Sequence, residues 1–309
     1  MASSELEYHL LSRLKLRQLR LLVAVDQHRN ILKASEQLNM AQPAATKNIR
    51  DLEKLLQVSL FDRSSRGVTP TRYGDIVIKH AKLILSQIKQ TSEEITTLSQ
   101  GITGHINVGT LLAASPTLIP QSVLELKKKR PNITVSIIEG TNDKLMPGLR
   151  AGDIDLVIGR LPEFREREGL TQKALYDEPI VIVACKEHPL TKIKKITFKR
   201  LAEYDWILPP PQTSLRRQLE AEFRNAGHEP PTTSVQSISI LTNFKLISET
   251  DMIAAMPLHV VSSNPLLTPL SVELLSANSA IGVTYRTGAV LSPAVEYYIE
   301  TLVNVAKQF

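Results

Sequence analysis

Residues 30–72 read NILKASEQLNMAQPAATKNIRDLEKLLQVSLFDRSSRGVTPTR. The stretch divides into a helix, a short turn, a second helix beginning at Gln42-Pro43, and a basic hairpin. That order is the layout of a winged helix-turn-helix. Upstream, apolar spacing of three to four at Leu19, Leu22, Val23 and Val25 predicts a helix over 15–28. Asn30 suits the N-cap of the next helix, 31–38. Within it Ala34, Ser35 and Leu38 are small or apolar, as close helix packing requires. Asn39, Met40 and Ala41 form the turn. Pro43 falls in the first turn of a helix, where its missing N–H has no partner to lose. Ile49, Leu52, Leu55 and Leu56 then face inward and leave Gln42, Thr46, Lys47 and Arg50 outward.

The outward set carries groove-reading chemistry. Glutamine pairs bidentately with adenine, Lys and Arg reach guanine or a phosphate, and Thr meets a thymine methyl. A solvated polar face on an ordinary surface helix is the competing account, since such faces are the norm. The next segment tilts the balance: 60–63 and 68–71 read as short strands around a polar turn, with Arg66 beside Gly67 at the tip. An arginine there can enter a narrow minor groove, or simply be a solvent-exposed turn charge.

On these residues, and especially Ala34, Gln42-Pro43-Ala44, Leu52-Glu53, Leu60-Phe61, Arg63 and the run from Thr71 to Gly74, the segment 16–75 resembles the DNA-binding domain of LysR-type transcriptional regulators. The resemblance implies that Gln42, Pro43, Thr46, Lys47 and Arg50 contact DNA from the recognition helix, and Arg66 from the wing. One position departs from the pattern: Ala41 stands where the family usually has Ser or Thr, removing a helix cap worth about 1 kcal/mol. Residues 1–13 precede the family's usual start and read as a loose arm.

Composition agrees with that division. A chain of 309 residues suggests about two domains. Residues 1–90 carry 15 Lys+Arg against 8 Asp+Glu, whereas the rest carries 22 against 23. A basic first third on a near-neutral body suits contact with phosphates. No run of about 18 apolar residues is present, nor a secretory apolar core, so the chain reads as cytoplasmic without membrane contact. The single Cys185, inside an apolar strand, reads as a buried structural thiol.

From Thr71 to Gln100 one long helix is predicted. Val77, Ala81, Ile84, Ile88, Thr91, Ile95 and Leu98 form a heptad seam suited to a second copy of the chain. Gly101 and Gly104 mark a boundary and hinge. The organisation read here is α+β and multidomain: a winged helix-turn-helix over 1–74, a linker and dimerisation helix over 75–101, and a two-lobed α/β body over 102–309.

In that body strands alternate with helices, predicting parallel, doubly wound halves with a cleft between them. Ligands of such sheets sit beyond the carboxyl ends of strands, where helix N-termini present free N–H groups. Those positions hold Leu112, Ala114 and Ser115 after the first strand, Thr141 and Asn142 after the second, and Arg160 after the third. In the other half they hold Pro209, Thr213 and Ser214, then Ser237 and Ile238, then Pro257. Hydroxyls, backbone N–H groups and one Arg suit a small carboxylate. Each hydroxyl taken singly could also be a plain N-cap. Residues 104–305 resemble the LysR-type effector-binding domain, of periplasmic-binding-protein type, which implies an effector-controlled regulator and activator that forms dimers or tetramers. Within the family, GDIDLVIGRLPE and PPPQTSLRRQLEAEFRNAG look closest to regulators of protocatechuate-type catabolism and to a sugar-transport regulator. His188-Pro189-Leu190 recurs there as a surface turn, not a catalytic site.

Catalytic signatures are missing. The sequence has no GxGxxG after a strand, no GxxxxGK[ST], no HExxH, no CxxC and no GxSxG, and its seven His lack paired ligand spacing. No enzyme activity, metal or cofactor is therefore expected. A ligand-binding module without DNA function and a sugar-responsive regulator remain as alternatives.

Overall fold

The computed structural model describes residues 3–64, 67–99, 104–161, 168–262, 264–272, 274 and 278–309. The chain divides into two compact units between residues 96 and 97.

The first unit runs α1 (Ser3–Arg13), α2 (Leu16–His28), α3 (Ile31–Gln37), α4 (Gln42–Leu56), β1 (Phe61–Ser64), β2 (Gly67–Pro70) and α5 (Arg72–Ser99). Leu22, Val25, Ala34, Ala45, Ile49 and Leu52 meet in one core at no more than 2 % exposure. Asn30 does cap α3, its side chain accepting from the N–H groups of Leu32 at 2.8 Å and Lys33 at 3.1 Å. Asn39 takes the left-handed φ of 51° that turns the chain into α4. Ala41 precedes α4 without a side-chain cap.

Several residues of the opening stretch acquire physical tasks here. The Glu53 carboxylate accepts from the N–H groups of Leu60 at 2.9 Å and Phe61 at 3.4 Å, fixing the wing to α4. Thr71 donates its hydroxyl to the Ser59 carbonyl at 2.7 Å and its N–H to the Leu60 carbonyl at 2.9 Å. Its Oγ1 also accepts from the Gly74 N–H at 3.1 Å, capping α5. Gly74 then passes so close to the wing that a Cβ would lie 2.1 Å from the Leu60 carbonyl oxygen.

Two readings of this unit change. The expected loose arm contains α1, whose last turn ends in Arg13 and leads into Leu14, partly packed on the core. Helical spacing of Leu6, Leu10 and Leu14 accounts for it. The seam along α5 is shorter than its letters. Ala81 is 1 % exposed within the unit's own core and Val77 packs against it, which removes both from any partner. Ile84, Ile88 and Ile95 are exposed by 40 %, 44 % and 63 %, and the side chain of Leu98 lies outside the described residues. Lys82 ties α5 to α2 through Asp26 at 2.9 Å. Gly101, the expected hinge, also lies outside the described residues.

The second unit begins β3 (Gly104–Thr110), α6 (Leu118–Lys129), β4 (Ile133–Glu139), α7 (Asn142–Ala151) and β5 (Leu156–Arg160). β3 pairs in parallel with both β4 and β5, so the first half is wound as expected. A long strand, β6 (Leu170–Cys185), leads to a second half of α8 (Phe198–Leu201), β7 (Trp206–Leu208), α9 (Ser214–Asn225), β8 (Thr233–Gln236), α10 (Ile240–Glu249), β9 (Ile253–Pro257), α11 (Leu258–Ser262) and β10 (Leu267–Pro269). β7 is parallel to β8 and β9. The chain returns through β11 (Asn278–Arg286) and closes with α12 (Pro293–Ala306).

β6 joins the halves. Its residues 170–179 pair antiparallel with β11, its residues 180–183 with β9, and 183–185 with β10. The strand order is β4-β3-β5-β11-β6-β9-β7-β8, with β10 also on β6. In the first lobe α6 and α12 bury Leu118, Leu126, Tyr298 and Leu302 on one face, and α7 packs Leu145 and Leu149 on its own smaller cluster. In the second lobe Trp206 and Phe223 centre one cluster, and Ile247 and Met256 another. Cys185 is buried, as its apolar surroundings predict.

Substituting Gly74→Ala should destabilise the first unit by about 1–3 kcal/mol, because the added methyl meets backbone and not a movable side chain. Urea unfolding of the full chain measures it; an unchanged midpoint would show that α5 shifts freely away from the wing.

Candidate functional site

Two surfaces gather the residues singled out in the sequence. On the first unit, Gln42, Pro43, Thr46, Lys47 and Arg50 line one shallow concavity on α4, joined by Asp51 and Lys54. All are exposed except Thr46, which is half-buried, while Ala45, Ile49 and Leu52 turn into the core. The inward and outward faces are thus those that apolar spacing predicted. Arg66 lies outside the described residues.

On the second unit a cleft of about 640 Å³, its open mouth included, lies between the two lobes. The first lobe contributes Leu111, Leu112, Ala113, Glu139, Gly140, Thr141, Asn142 and Arg160. The second contributes Pro209, Thr213, Ser214, Leu215, Ile238 and Pro257. Every one of these stands at or just past the carboxyl end of a strand, or in the first turn of a helix, as doubly wound topology requires.

Arg160, the last residue of β5, supplies the cleft's cation. It is 7 % exposed, and its Nη1 donates to Gln218 Oε1 at 2.7 Å. Among the described residues no carboxylate lies within ion-pair distance of it; the buried Glu178 acts on it only at longer range. Burial lowers its pKa to about 10, so it remains a cation at neutral pH. Glu178 itself is fully buried and committed elsewhere, accepting from the His259 N–H at 3.0 Å and meeting His259 Nδ1 at 2.6 Å. Gly159, at φ 148°, permits the approach of the neighbouring loop: a Cβ there would sit 2.5 Å from Leu111 Cβ.

The hydroxyls separate into two kinds. Thr213 caps α9, its Oγ1 accepting from the Arg216 N–H at 3.3 Å, and Ser237 accepts from the Ser239 N–H at 3.1 Å. Thr141 precedes α7 but makes no side-chain cap. It is 7 % exposed, and its Oγ1, like Asn142 Oδ1, is a buried polar atom with no hydrogen-bond partner among the described residues. Such atoms cost about 1–3 kcal/mol each unless something answers them. The first-turn residues Asn142 of α7 and Ser214 and Leu215 of α9 also line the cleft, and a helix start leaves its first N–H groups without intrahelical partners.

Three expected positions do not line the cleft. Ala114 is fully buried in the first lobe's core. The Ser115 N–H is bonded back to the Leu111 carbonyl at 3.2 Å, because residues 111–117 turn before α6 starts at Leu118. Ser237 sits outside the lining, serving the turn before α10. Conversely, Glu139, Gly140 and Leu215 line the cleft without having been singled out, while Leu111 and Ala113, inside the stretch 111–115 expected after the first strand, do line it. Glu139 ends β4 and Gly140 follows it, directly before Thr141, so extending that strand-end set two residues upstream would have found both.

Comparison with known proteins identifies the domains that carry the two surfaces. Residues 16–75 match the family model of the bacterial regulatory helix-turn-helix protein, lysR family, and residues 99–307 match the LysR substrate binding domain. The chain is 36 % identical over 247 residues to the HTH-type transcriptional regulator GbpR of Azospirillum brasilense, covering 80 % of this chain and 72 % of that protein. It is 28 % identical over 277 residues to the HTH-type transcriptional regulator PcaQ of Agrobacterium fabrum, covering 89 % of each. Among solved structures it shares its fold with CbnR, a LysR family transcriptional regulator, at a TM-score of 0.65 and 20 % identity over 95 % of this chain and 99 % of that one. CbnR has also been solved in complex with its target DNA. Matched over both units, the chain belongs to the LysR family of DNA-binding transcription regulators.

Proposed function

We propose that the cleft receives a small carboxylate and that its occupancy governs how the chain engages DNA through α4. The supporting observation is Arg160: a cation buried to 7 % exposure, with a neutral amide as partner, lining the same cleft as the Thr141 hydroxyl, which has no hydrogen-bond partner among the described residues. An anionic group would pair with the guanidinium, accept from Thr141, and receive the open N–H groups of α7 and α9. Charge-assisted bonds of this kind are roughly twice as strong as neutral ones, and each helix N-terminus adds about half a positive charge. Thr213 supports this arrangement by capping α9, and the apolar Leu112, Pro209, Ile238 and Pro257 exclude water around the anion.

Gln42, Pro43, Thr46, Lys47 and Arg50 form the DNA-reading face in this account, with Arg66 as the wing contact. The boundaries 1–74, 75–101 and 102–309 serve as its functional division. Two copies pair along α5 through Ile84, Ile88 and Ile95, whose exposure leaves an apolar stripe along the helix. No helix of the described residues is long and apolar enough to cross a membrane, and the proposed place of work is the cytoplasm. A neutral sugar is the second reading; the acceptor oxygens of Glu139 and Asn142 favour hydroxyl donors.

Gln42→Ala should relax specificity at one base position by about 1–3 kcal/mol while leaving non-specific affinity nearly unchanged. Footprinting on a randomised site checks it, and unchanged base preference would remove Gln42 from the reading face. For the cleft, Thr141→Val with Ser214→Ala should weaken carboxylate binding by about tenfold or more, since each change leaves anion oxygens without a partner. Calorimetry with acids and neutral sugars decides: intact acid affinity in the double variant would place the anion elsewhere, and tight sugar binding with no acid response would favour the second reading.

A further inference from the structure

Residues 186–200 read KEHPLTKIKKITFKR and follow the last residue of β6. Their apolar letters turn inward. Leu190 and Ile196 are buried in the Trp206 cluster, and Ile193 and Phe198 pack against it. His188 is fully buried and pins the first turn: its Nδ1 accepts from the Leu190 N–H at 3.1 Å, and its Nε2 donates to the Asp251 carbonyl at 3.2 Å. Further on, the Ile196 N–H donates to the Ser271 carbonyl at 3.3 Å, and the Lys194 carbonyl accepts from the Ser271 hydroxyl at 3.0 Å. The backbone is thus held at both ends, while Lys186, Lys192, Lys194, Lys195, Lys199 and Arg200 are all exposed. Arg200 pairs with Glu203, whereas none of the five lysines has a side-chain partner among the described residues.

Charge is segregated here. The segment carries six Lys+Arg against one Glu, while the other residues from 91 to 309 carry 16 against 22. The second basic run of the body, 127–130, is committed within its own lobe. Lys127 donates to the Pro131 carbonyl at 3.1 Å, Lys128 pairs with Glu125 at 2.7 Å, and Arg130 lies over the Tyr297 ring at 5.1 Å. Like charges gathered without partners repel one another, so the arrangement suits an anion from outside the chain. That anion is not the cleft's ligand. β6 passes the cleft residue Pro257 at Ile180 and runs about 17 Å further to Cys185 before the segment begins.

We infer that residues 186–200 hold the phosphate backbone of DNA lying outside the stretch that the first unit binds. Duplex DNA presents one negative charge per about 1.7 Å of its axis, so a set of lysines needs no base-specific geometry to meet it. The chain belongs to a DNA-binding family, so a duplex is already held by the same molecule, and a second contact on that duplex is intramolecular. Such a contact adds affinity and salt dependence but no sequence preference. An anionic membrane fits less well. Within the segment no large apolar side chain is exposed, and a single exposed Leu266 beside Lys186 is no apolar face to enter lipid. The inference does not depend on which ligand fills the cleft.

The test compares the full chain with its variant Lys192→Gln, Lys194→Gln, Lys195→Gln and Lys199→Gln combined. Both bind a site selected by the wild type from a random pool, placed in a duplex that just spans it and in a much longer one. Fluorescence anisotropy reads affinity between about 50 and 200 mM salt. On the long duplex the variant's slope of log affinity against log salt should be shallower by about 3 to 4, so that this rise in salt costs the wild type about a hundredfold more affinity. On the short duplex the two proteins should agree within about twofold, which also reports that the variant folds. Equal slopes on the long duplex, or an equal loss on both duplexes, overturn the inference. A second variant, Lys128→Gln, Lys129→Gln, Lys245→Gln and Lys307→Gln combined, removes four exposed lysines elsewhere in the same unit. A slope change as large as that of the first variant would make net charge the cause and overturn the inference too. Vesicles rich in phosphatidylglycerol complete the test: wild-type binding that the first variant loses, with its DNA slopes unchanged, would assign the segment to a membrane surface instead.

Discussion

Removing a guanidinium from water costs several kcal/mol unless an anion answers it. Arg160 is held at 7 % exposure with the Gln218 amide in hydrogen-bond reach, and the surrounding architecture keeps it so. β5 ends at this residue; Gly159 lets the 111–117 turn close over the strand end; Glu178, which could have neutralised the charge, is fixed to His259 on α11. The cation is positioned by backbone pairing on β11, where Arg160 stands in register with Ile281. Its side chain consequently meets the cleft regardless of what fills it. Among the described residues no carboxylate answers this charge, and in the proposed function the ligand would complete the pairing.

The two lobes hang on the same strands. β6 pairs with β11 up to Pro179 and with β9 from Ile180, so one continuous strand passes from the first lobe to the second. A ligand bridging Arg160 and Thr141 on one side to the α9 N-terminus on the other touches both lobes at once. Such a ligand can shift their arrangement only by binding one arrangement more tightly than another. Contacts from both walls provide that difference, because opening the cleft breaks half of them. On the first unit Glu53 ties α4 to the wing, and Thr71 and Gly74 hold the start of α5 against it.

Much of this was legible in the chain, and the reasons differ by element. Helical spacing placed α2 to α4 because their buried and exposed faces differ sharply: Ala45, Ile49 and Leu52 are at 2 % exposure or less while Lys47 and Arg50 face solvent. The strand-helix alternation of the body was equally plain, and the rule that ligands sit at strand ends named Thr141, Asn142 and Arg160, all three of which line the cleft. The first half of β6 was missed, since Leu170–Pro179 is a mixed, partly exposed strand without clear alternation. Thr141 and Thr213 look alike as letters before a helix; only geometry shows that Thr213 caps α9 and Thr141 leaves its hydroxyl free. Ser115 was misplaced because the turn ahead of α6 absorbs its N–H, a detail that depends on the Leu111 carbonyl and not on residue type. Ala81 illustrates the same limit: its seam position is correct, yet the unit's own core claims it.

The central claim is that Arg160 is kept for a ligand and not for the fold. The most direct measurement is the unfolding free energy of Arg160→Met against the wild type, in denaturant, with and without an added carboxylate. Methionine preserves the stem and removes the charge, so the ligand-free variant should be as stable as the wild type or more stable by about 1–4 kcal/mol. The carboxylate should then stabilise only the wild type, by the amount that ligand binding to the native state requires. A ligand-free variant destabilised by about 3 kcal/mol or more, or one that the carboxylate stabilises as much as the wild type, would contradict the claim and make Arg160 a structural residue.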